Sequence, residues 1–253
     1  MELIQNAQTV AVGAQLDEIA ARYKNAGGFG VDLLNLLGGK AEGLLDRLPK
    51  PVRGRLEQAT EAALTHAMKA AHESRSVVPD QKGWLNAAVS AAMGAAGGMG
   101  GLPTALAELP VTTTLLLRVI QGVSKEYGFD PAAQNVQFDC IRVFAAAGPL
   151  EVDDGADLGF ISARITLTGA AVHGLVARVS PRLATVLGQK LAAQTVPVLG
   201  AVAGAATNYA YTSYYQEMAH VHFGLRKLAI DADVPLDELI VRLRQRMGAT
   251  VPA

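Results

Sequence analysis

The chain has 253 residues, half of them apolar, 18% charged and 5% aromatic, with a formal net charge of −1. It is long enough to bury a large core as one big domain or two small ones. The near-neutral balance excludes the broad basic field of a nucleic-acid-binding surface. The single cysteine, Cys140, excludes an internal disulfide or a Cys-based zinc site. The apolar residues are mostly Ala, Val and Leu, with Gly interspersed, which favours close-packed helices over strands. The opening MELIQNAQTVAVGAQLDEIA lacks the basic start and compact apolar core of a signal peptide. The expected compartment is therefore cytosolic, with any membrane contact made from the inner face.

In chain order, residues 4–24 carry Ile4, Val10, Val12, Leu16, Ile19 and Tyr23 on one broad helical face, and Gly27, Gly28 and Gly30 break that helix. A short helix from Val31 to Leu37 ends at Gly38-Gly39, and another over Ala41–Leu48 stops at Pro49-Lys50-Pro51. Val52 to Ser74 reads as a longer helix with a mixed-charge surface: Arg53, Arg55, Glu57, Glu61, Lys69 and Glu73. From Gly83 to Ala107 the chain runs 25 residues without a charge, then meets Glu108 two residues before Pro110 and a helix, TTTLLLR, that closes near Gly128. Asp130-Pro131 has the form of a helix start, an Asp cap with proline at the first helical position. Val136, Cys140, Ile141 and Phe144 share one face of the helix it opens. An acidic turn (Glu151, Asp153, Asp154) precedes a helix over about 157–179, and Ser180-Pro181 repeats the cap-plus-proline start. A second uncharged window, 26 residues from Leu191 to Gln216, leads into QEMAHVHFGLRKLAI. After a turn over Asp231–Pro235, a last amphipathic helix, Leu236–Met247, presents Arg242, Arg244 and Arg246 on its outer face.

No convincing strand alternation is found. The fold expected is all-α: a multi-helix bundle of roughly nine or ten helices around two packed Gly/Ala-rich helices, with an N-terminal helical region (1–80) and a main helical domain (81–253). The two uncharged windows supply that central pair. Each has small residues four apart (Gly94/Gly98, Gly97/Gly101 and Gly200/Gly204), a spacing that puts them on one helix face and lets a partner backbone come close. Either window is long enough to span a bilayer, but Gly and Ala add little insertion energy. The windows also carry Asn86, Ser90, Pro103, Thr104 and Asn208, so a buried helix pair is preferred to a spanning one. Trp84, the only tryptophan, reads as a core residue, with an interfacial anchor as the alternative.

The runs GGLPTALAELPVTTTLLLRVIQGVSKEYGFD, FDCIRVFAAAG, the segment Phe160–Arg164, and VPVLGAVAGAATNYAYTSYYQEMAHVHFGLRKL, in this order and spacing, resemble the EcsC protein family. The resemblance covers most of residues 83–230, and ELPVTTTLLLR and GAVAGAATN…HF are its specific parts. The chain departs from the family's Leu-Gly-Gly at Ala146-Ala147-Gly148. The resemblance implies a bacterial protein named from an operon encoding an ABC transporter, an association with membrane processes, and no established activity.

The candidate residues form a buried polar or ligand-binding set: Glu108, Thr112, Thr114, Arg118, Arg164, Asn208, Tyr215 and His222. Glu108 reads as the capping acid of a proline-started helix, or else as a buried acid facing Arg118 or Arg164. At least two of Thr112, Thr113 and Thr114 are expected to back-bond to the preceding turn. Arg118, surrounded by Leu115–Leu117 and Val119-Ile120, needs a partner and is expected to reach a carboxylate. Asn208, Tyr215 and His222 recur every seven residues as a polar stripe, either a satisfied network or the lining of a cavity between helices. His220 and His222, two apart, point in opposing directions and are poor joint metal ligands, and Cys140 reads as a buried inert thiol. No G-x-S-x-G, P-loop, H-E-x-x-H or strand-borne dinucleotide motif is present. The expectation is a non-enzymatic accessory protein with no metal or cofactor, meeting a membrane surface or lipid-like ligand and an ABC transporter as partner. The alternatives are a hydrolase using Glu108, Arg118 and His222, and a membrane-inserting, pore-like protein built on the two windows.

Overall fold

A computed structural model describes residues 2–26, 46, 48–77, 83–99, 101–144 and 200–247, with isolated positions at 174, 176–177, 180–181, 184, 188 and 191–192. Among these, every regular element is a helix: α1 (Glu2–Asn25), α2 (Lys50–Arg53), α3 (Leu56–Val77), α4 (Gly83–Met99), α5 (Gly101–Glu126), α6 (Gln134–Phe144), α7 (Gly200–Asp231) and α8 (Leu236–Met247). Among the described residues eight helices have defined bounds where nine or ten were expected; the expected segment over 31–37 lies outside the described residues, and of that over 157–179 only 174, 176 and 177 are described, all helical.

The 32-residue α7 is the axis. It packs most extensively on α4, and also on α5, α1, α6 and α8, while α3 lies along α5. Helices α4 and α5 form a hairpin, and α4 runs antiparallel to α7. Gly83 meets Gln216, Ser90 meets Asn208 and Thr212, and Gly94 meets Gly204 in successive steps along the pair. Two glycines set the separation at that crossing. A Cβ on Gly94 would strike the backbone carbonyl of Gly204, so the helices touch main chain to main chain.

The boundaries have local causes. Gly128, at φ +82°, ends α5: Phe129 N–H reaches back to the Ser124 carbonyl at 3.0 Å, the wrap that a left-handed residue permits. Asp233, at φ 52°, does the same for α7, with Val234 N–H on Ala229 O at 3.1 Å. The expected helix start at Asp130-Pro131 is corrected: Asp130 Oδ1 accepts Ala132 N–H at 2.9 Å to form a turn, and α6 begins at Gln134. The expected helix Val52–Ser74 divides at Gly54-Arg55 into α2 and α3. Ser180 is itself helical and donates to Val176 O at 2.6 Å, so it back-bonds within a helix instead of capping one.

One hydrophobic cluster joins Val12, Leu16 and Ile19 of α1, Leu56 and Leu64 of α3, Leu116, Leu117 and Ile120 of α5, α6, and the inner face of α7. The described helices α1 and α3 therefore share their core with α5, α6 and α7. At the other end, α8 is braced on α1 by Arg246 to Asp17 (2.7 Å) and by Lys24 to the Arg246 carbonyl (3.3 Å). Arg242, Arg244 and Arg246 are all half-buried, which corrects their placement on an outer face. Trp84 is likewise corrected from core to surface, because its position on α4 turns away from both α5 and α7.

Candidate functional site

Pro110 does not start a helix; α5 runs through it from Gly101. Proline has no N–H to give the carbonyl four residues earlier. The three threonines that follow divide their hydroxyls: Thr113 donates to Leu109 O (2.7 Å) and Thr114 to Pro110 O (2.8 Å), whereas Thr112 donates to the Glu108 carboxylate (2.8 Å). Two back-bonds and one side-chain bond result. Glu108, one turn before Thr112, is accordingly no cap. It is a buried acid inside the helix, turned towards α4 and α7.

Space for that acid comes from α4. A Cβ on Gly97 would lie only 2.0 Å from Glu108 Oε2, too close for both to stay. From α7, Asn208 Nδ2 donates to Glu108 Oε1 at 2.6 Å and to the Ser90 carbonyl at 2.9 Å. Ser90 Oγ donates to the Asn208 carbonyl at 3.3 Å and accepts from Thr212 Oγ1 at 2.7 Å. Five buried polar side chains from three helices (Ser90, Glu108, Thr112, Asn208, Thr212) thus form one node beside the Gly94–Gly204 contact. Asn208 Oδ1 is buried without a hydrogen-bond partner among the described residues.

A second node lies towards the other end of α7. Asp139 of α6 has His222 Nε2 at 3.2 Å, is paired with Arg226, and has Arg142 at 3.8 Å. Burial works to raise the Asp139 pKa, but the hydrogen bond from His222 and the charges of Arg226 and Arg142 outweigh it and hold the carboxyl below its ordinary value. The Arg226 guanidinium also stacks 4.6 Å over the Phe129 ring. Between the two nodes sits an aromatic layer: Tyr215 packs on Phe144 (5.0 Å), Tyr214 (5.4 Å) and Tyr211 (6.3 Å).

A third, partly exposed set joins α1, α5 and α7. His220 Nδ1 and Tyr127 Oη are 3.3 Å apart, and Arg22 donates to Glu217 at 3.1 Å. Burial, then the charge of Arg22, lowers the His220 pKa; burial raises that of Tyr127. His220 and His222 thus face different helices, as their spacing requires.

Of the sequence-derived candidates, Glu108, Thr112 and Asn208 come together. Thr114 faces outward, and Tyr215 belongs to the aromatic layer. His222 belongs to the Asp139 node, and Arg164 lies outside the described residues. Arg118 donates to Ser74 Oγ of α3 at 2.8 Å and lines a small cleft, about 20 Å³, with Gly83, Asn86, Gly122, Glu126 and Gln216. The hydrolase set does not converge. Arg118 stands ten residues from Glu108 on α5, roughly 15 Å along the axis, and His222 stands fourteen residues beyond Asn208 on α7, roughly 21 Å.

Sequence reasoning passed over Ser90, Thr212, Asp139 and Arg226 as members of these nodes. The spacing of His222 and Arg226, four apart, was the available signal for the last. Cys140 is buried, and no cluster of His, Cys, Asp and Glu suited to a metal occurs among the described residues.

Among the described residues these features define an all-helical protein organised on a long central helix that carries hydrogen-bonded and ionic nodes. The EcsC protein family model matches residues 47–228, and the chain belongs to that family. The match reaches back beyond residue 83 to take in α2 and α3, and leaves α1 and α8 outside it. No curated protein and no solved structure matches the chain.

Proposed function

We propose that this EcsC-family protein is a non-enzymatic accessory protein that associates with a membrane surface from the cytoplasmic side and serves transport or lipid physiology. The bacterial setting and the ABC-transporter partner implied by the resemblance belong to the same proposal. In this reading α4 and α7 are the central pair of a nine- or ten-helix bundle. The observation that carries it is the outer face of α4: an uncharged helix, packed on α5 and α7 on one side, that turns apolar residues to solvent on the other. Exposed apolar surface of this extent marks a place where something apolar is bound. Among the described residues no helix is long and apolar enough to cross a membrane, which favours lying on a bilayer over spanning it. The test is flotation of the purified full chain with vesicles of neutral and of anionic lipid. Recovery in the lipid fraction is expected; absence from it in every composition overturns the proposal.

A further inference from the structure

On a helix, successive residues turn by 100°, so exposure along α4 can be laid out as angles. With Trp84 at 0°, the exposed residues Ala88, Met99, Ala92, Ala96 and Val89 fall at about 40°, 60°, 80°, 120° and 140°. The buried residues Gly97, Ser90, Gly94 and Ala87 fall at about 220° to 300°. The helix is therefore divided lengthwise. One arc is fastened to the body by Ser90 and by the Gly94–Gly204 contact; the other is open, apolar and about 25 Å long, with Trp84 (69% exposed) near one end and Met99 (73%) at the other.

We propose that this arc, from Trp84 through Ala88, Ala92 and Ala96 to Met99, is the surface that docks on lipid. It rests in the bilayer interface by apolar contact and does so without anionic headgroups. The proposal rests on the membrane reading above and specifies its chemistry.

Three observations select the occupant. No charge occurs in α4 or in the residues that follow it to Ala107, and Lys82 directly before it is balanced by Asp80, so the arc itself holds no cation for an anionic headgroup. The only hydrogen-bonding group on the arc is the Trp84 indole N–H, whereas a protein–protein interface carries roughly one hydrogen bond per 100–200 Å². A bilayer's acyl boundary asks for none, and an indole at its edge finds a polar partner for its N–H in the headgroup layer. Finally, a free interfacial helix turns a cationic face to water; here α5 and α7 cover that side, so α4 docks as a fixed ridge of the folded protein.

Trp84 is the only tryptophan, so its fluorescence reports this contact alone. The full-length protein is titrated with phosphatidylcholine vesicles, with and without phosphatidylglycerol, at low and high salt. A further series carries lipids brominated along the acyl chain. The expected result is a blue shift of Trp84 emission and quenching by the brominated lipid, equal within about twofold across salt and anionic content. Ala92→Glu, at an exposed position whose substitution leaves the helical circular dichroism unchanged, weakens vesicle partition about tenfold or more. Flotation with an unchanged Trp84 spectrum overturns this surface while leaving the membrane function standing. Absence of flotation in every lipid removes both. Binding that requires phosphatidylglycerol and is lost in high salt overturns the apolar mode. A concentration-dependent dimer that Ala92→Glu dissolves, with Trp84 unquenched by lipid, assigns the arc to a second copy of the chain and overturns the bilayer as its occupant.

Discussion

The two polar nodes along α7 solve the same problem by opposite means. At the Asn208 node, helix backbones are in contact, and only short side chains fit. Ser90, Thr112, Thr212 and Asn208 supply hydroxyls and an amide, and the single acid, Glu108, fits because Gly97 makes room for it. Beside the Asp139 node, bulky rings separate the helices: Phe129 on Phe223 at 5.6 Å and, in the adjoining aromatic layer, Phe144 on Tyr215 at 5.0 Å. The long side chain of Arg226 reaches from α7 to one carboxylate, which Arg142 approaches from within α6 itself. Helix separation thus selects the chemistry of the polar contact. Glycine contacts call for short hydroxyls and amides, and aromatic contacts leave span for ion pairs.

The contrast is most severely tested by closing the space at the tight end. Gly94→Leu places a side chain in the carbonyl of Gly204 and is expected to destabilise the protein by about 3 kcal/mol or more, read as a lowered midpoint in chemical denaturation. A variant as stable as the parent would show that α4 does not depend on that contact. Next in size, Asp139→Ala leaves Arg226, Arg142 and His222 without their shared acceptor and is expected to cost roughly 2–3 kcal/mol, below the cost for a fully buried pair because Arg226 is partly solvated.

Asn208→Ala strips a donor from both Glu108 and the Ser90 carbonyl, for a loss of about 1–3 kcal/mol. In a double-mutant cycle it should couple to Thr112→Val through the shared carboxylate, yet add to Asp139→Ala within about 0.5 kcal/mol. Coupling between the nodes larger than that would mean that α7 transmits between them.

The smallest effects are in pH. His220 has a lowered pKa in the folded state, so below about pH 6.5 the unfolded chain takes up a proton that the folded one declines. Stability therefore falls as pH drops below that value, and His220→Gln should flatten this part of the curve. Asp139 is also lowered and loses its contribution only further down: the stability it gives is complete above about pH 3.9 and disappears as pH falls through its folded pKa. A denaturation midpoint followed against pH separates the two steps.

Much of the fold was legible in the residues. Leu236–Met247 has the bounds its sequence predicts, because Pro235 and Gly248 frame a strong helical period. The small-residue windows pointed to close helix packing, and Gly94 and Gly204 do meet. Candidate-site reading was less complete. Glu108 and Asn208 stand out as polar residues in apolar surroundings, but the sequence reads Glu108 as a helix cap, or else as an acid facing Arg118 or Arg164. In the structure Glu108 is no cap and turns towards α4 and α7, Arg118 donates to α3, and Arg164 lies outside the described residues. Ser90 enters the sequence reading only as polarity that disfavours a membrane span, and nothing local marks Asp139 as the acceptor of His222 and Arg226.

What the sequence alone determined is the class and the family: helix-forming composition, caps and breakers at the ends, and motifs specific enough for EcsC. These are local properties, set within a few turns of chain, and they need no knowledge of who packs on whom. What only the tertiary structure decided is direction. It placed the exposed arc of α4 away from its neighbours, turned Glu108 onto Gly97, and gave His222 an acid 83 residues earlier in the chain. Helical periodicity shows which residues share a face. Which face is covered depends on contacts between distant segments, and no local pattern encodes those.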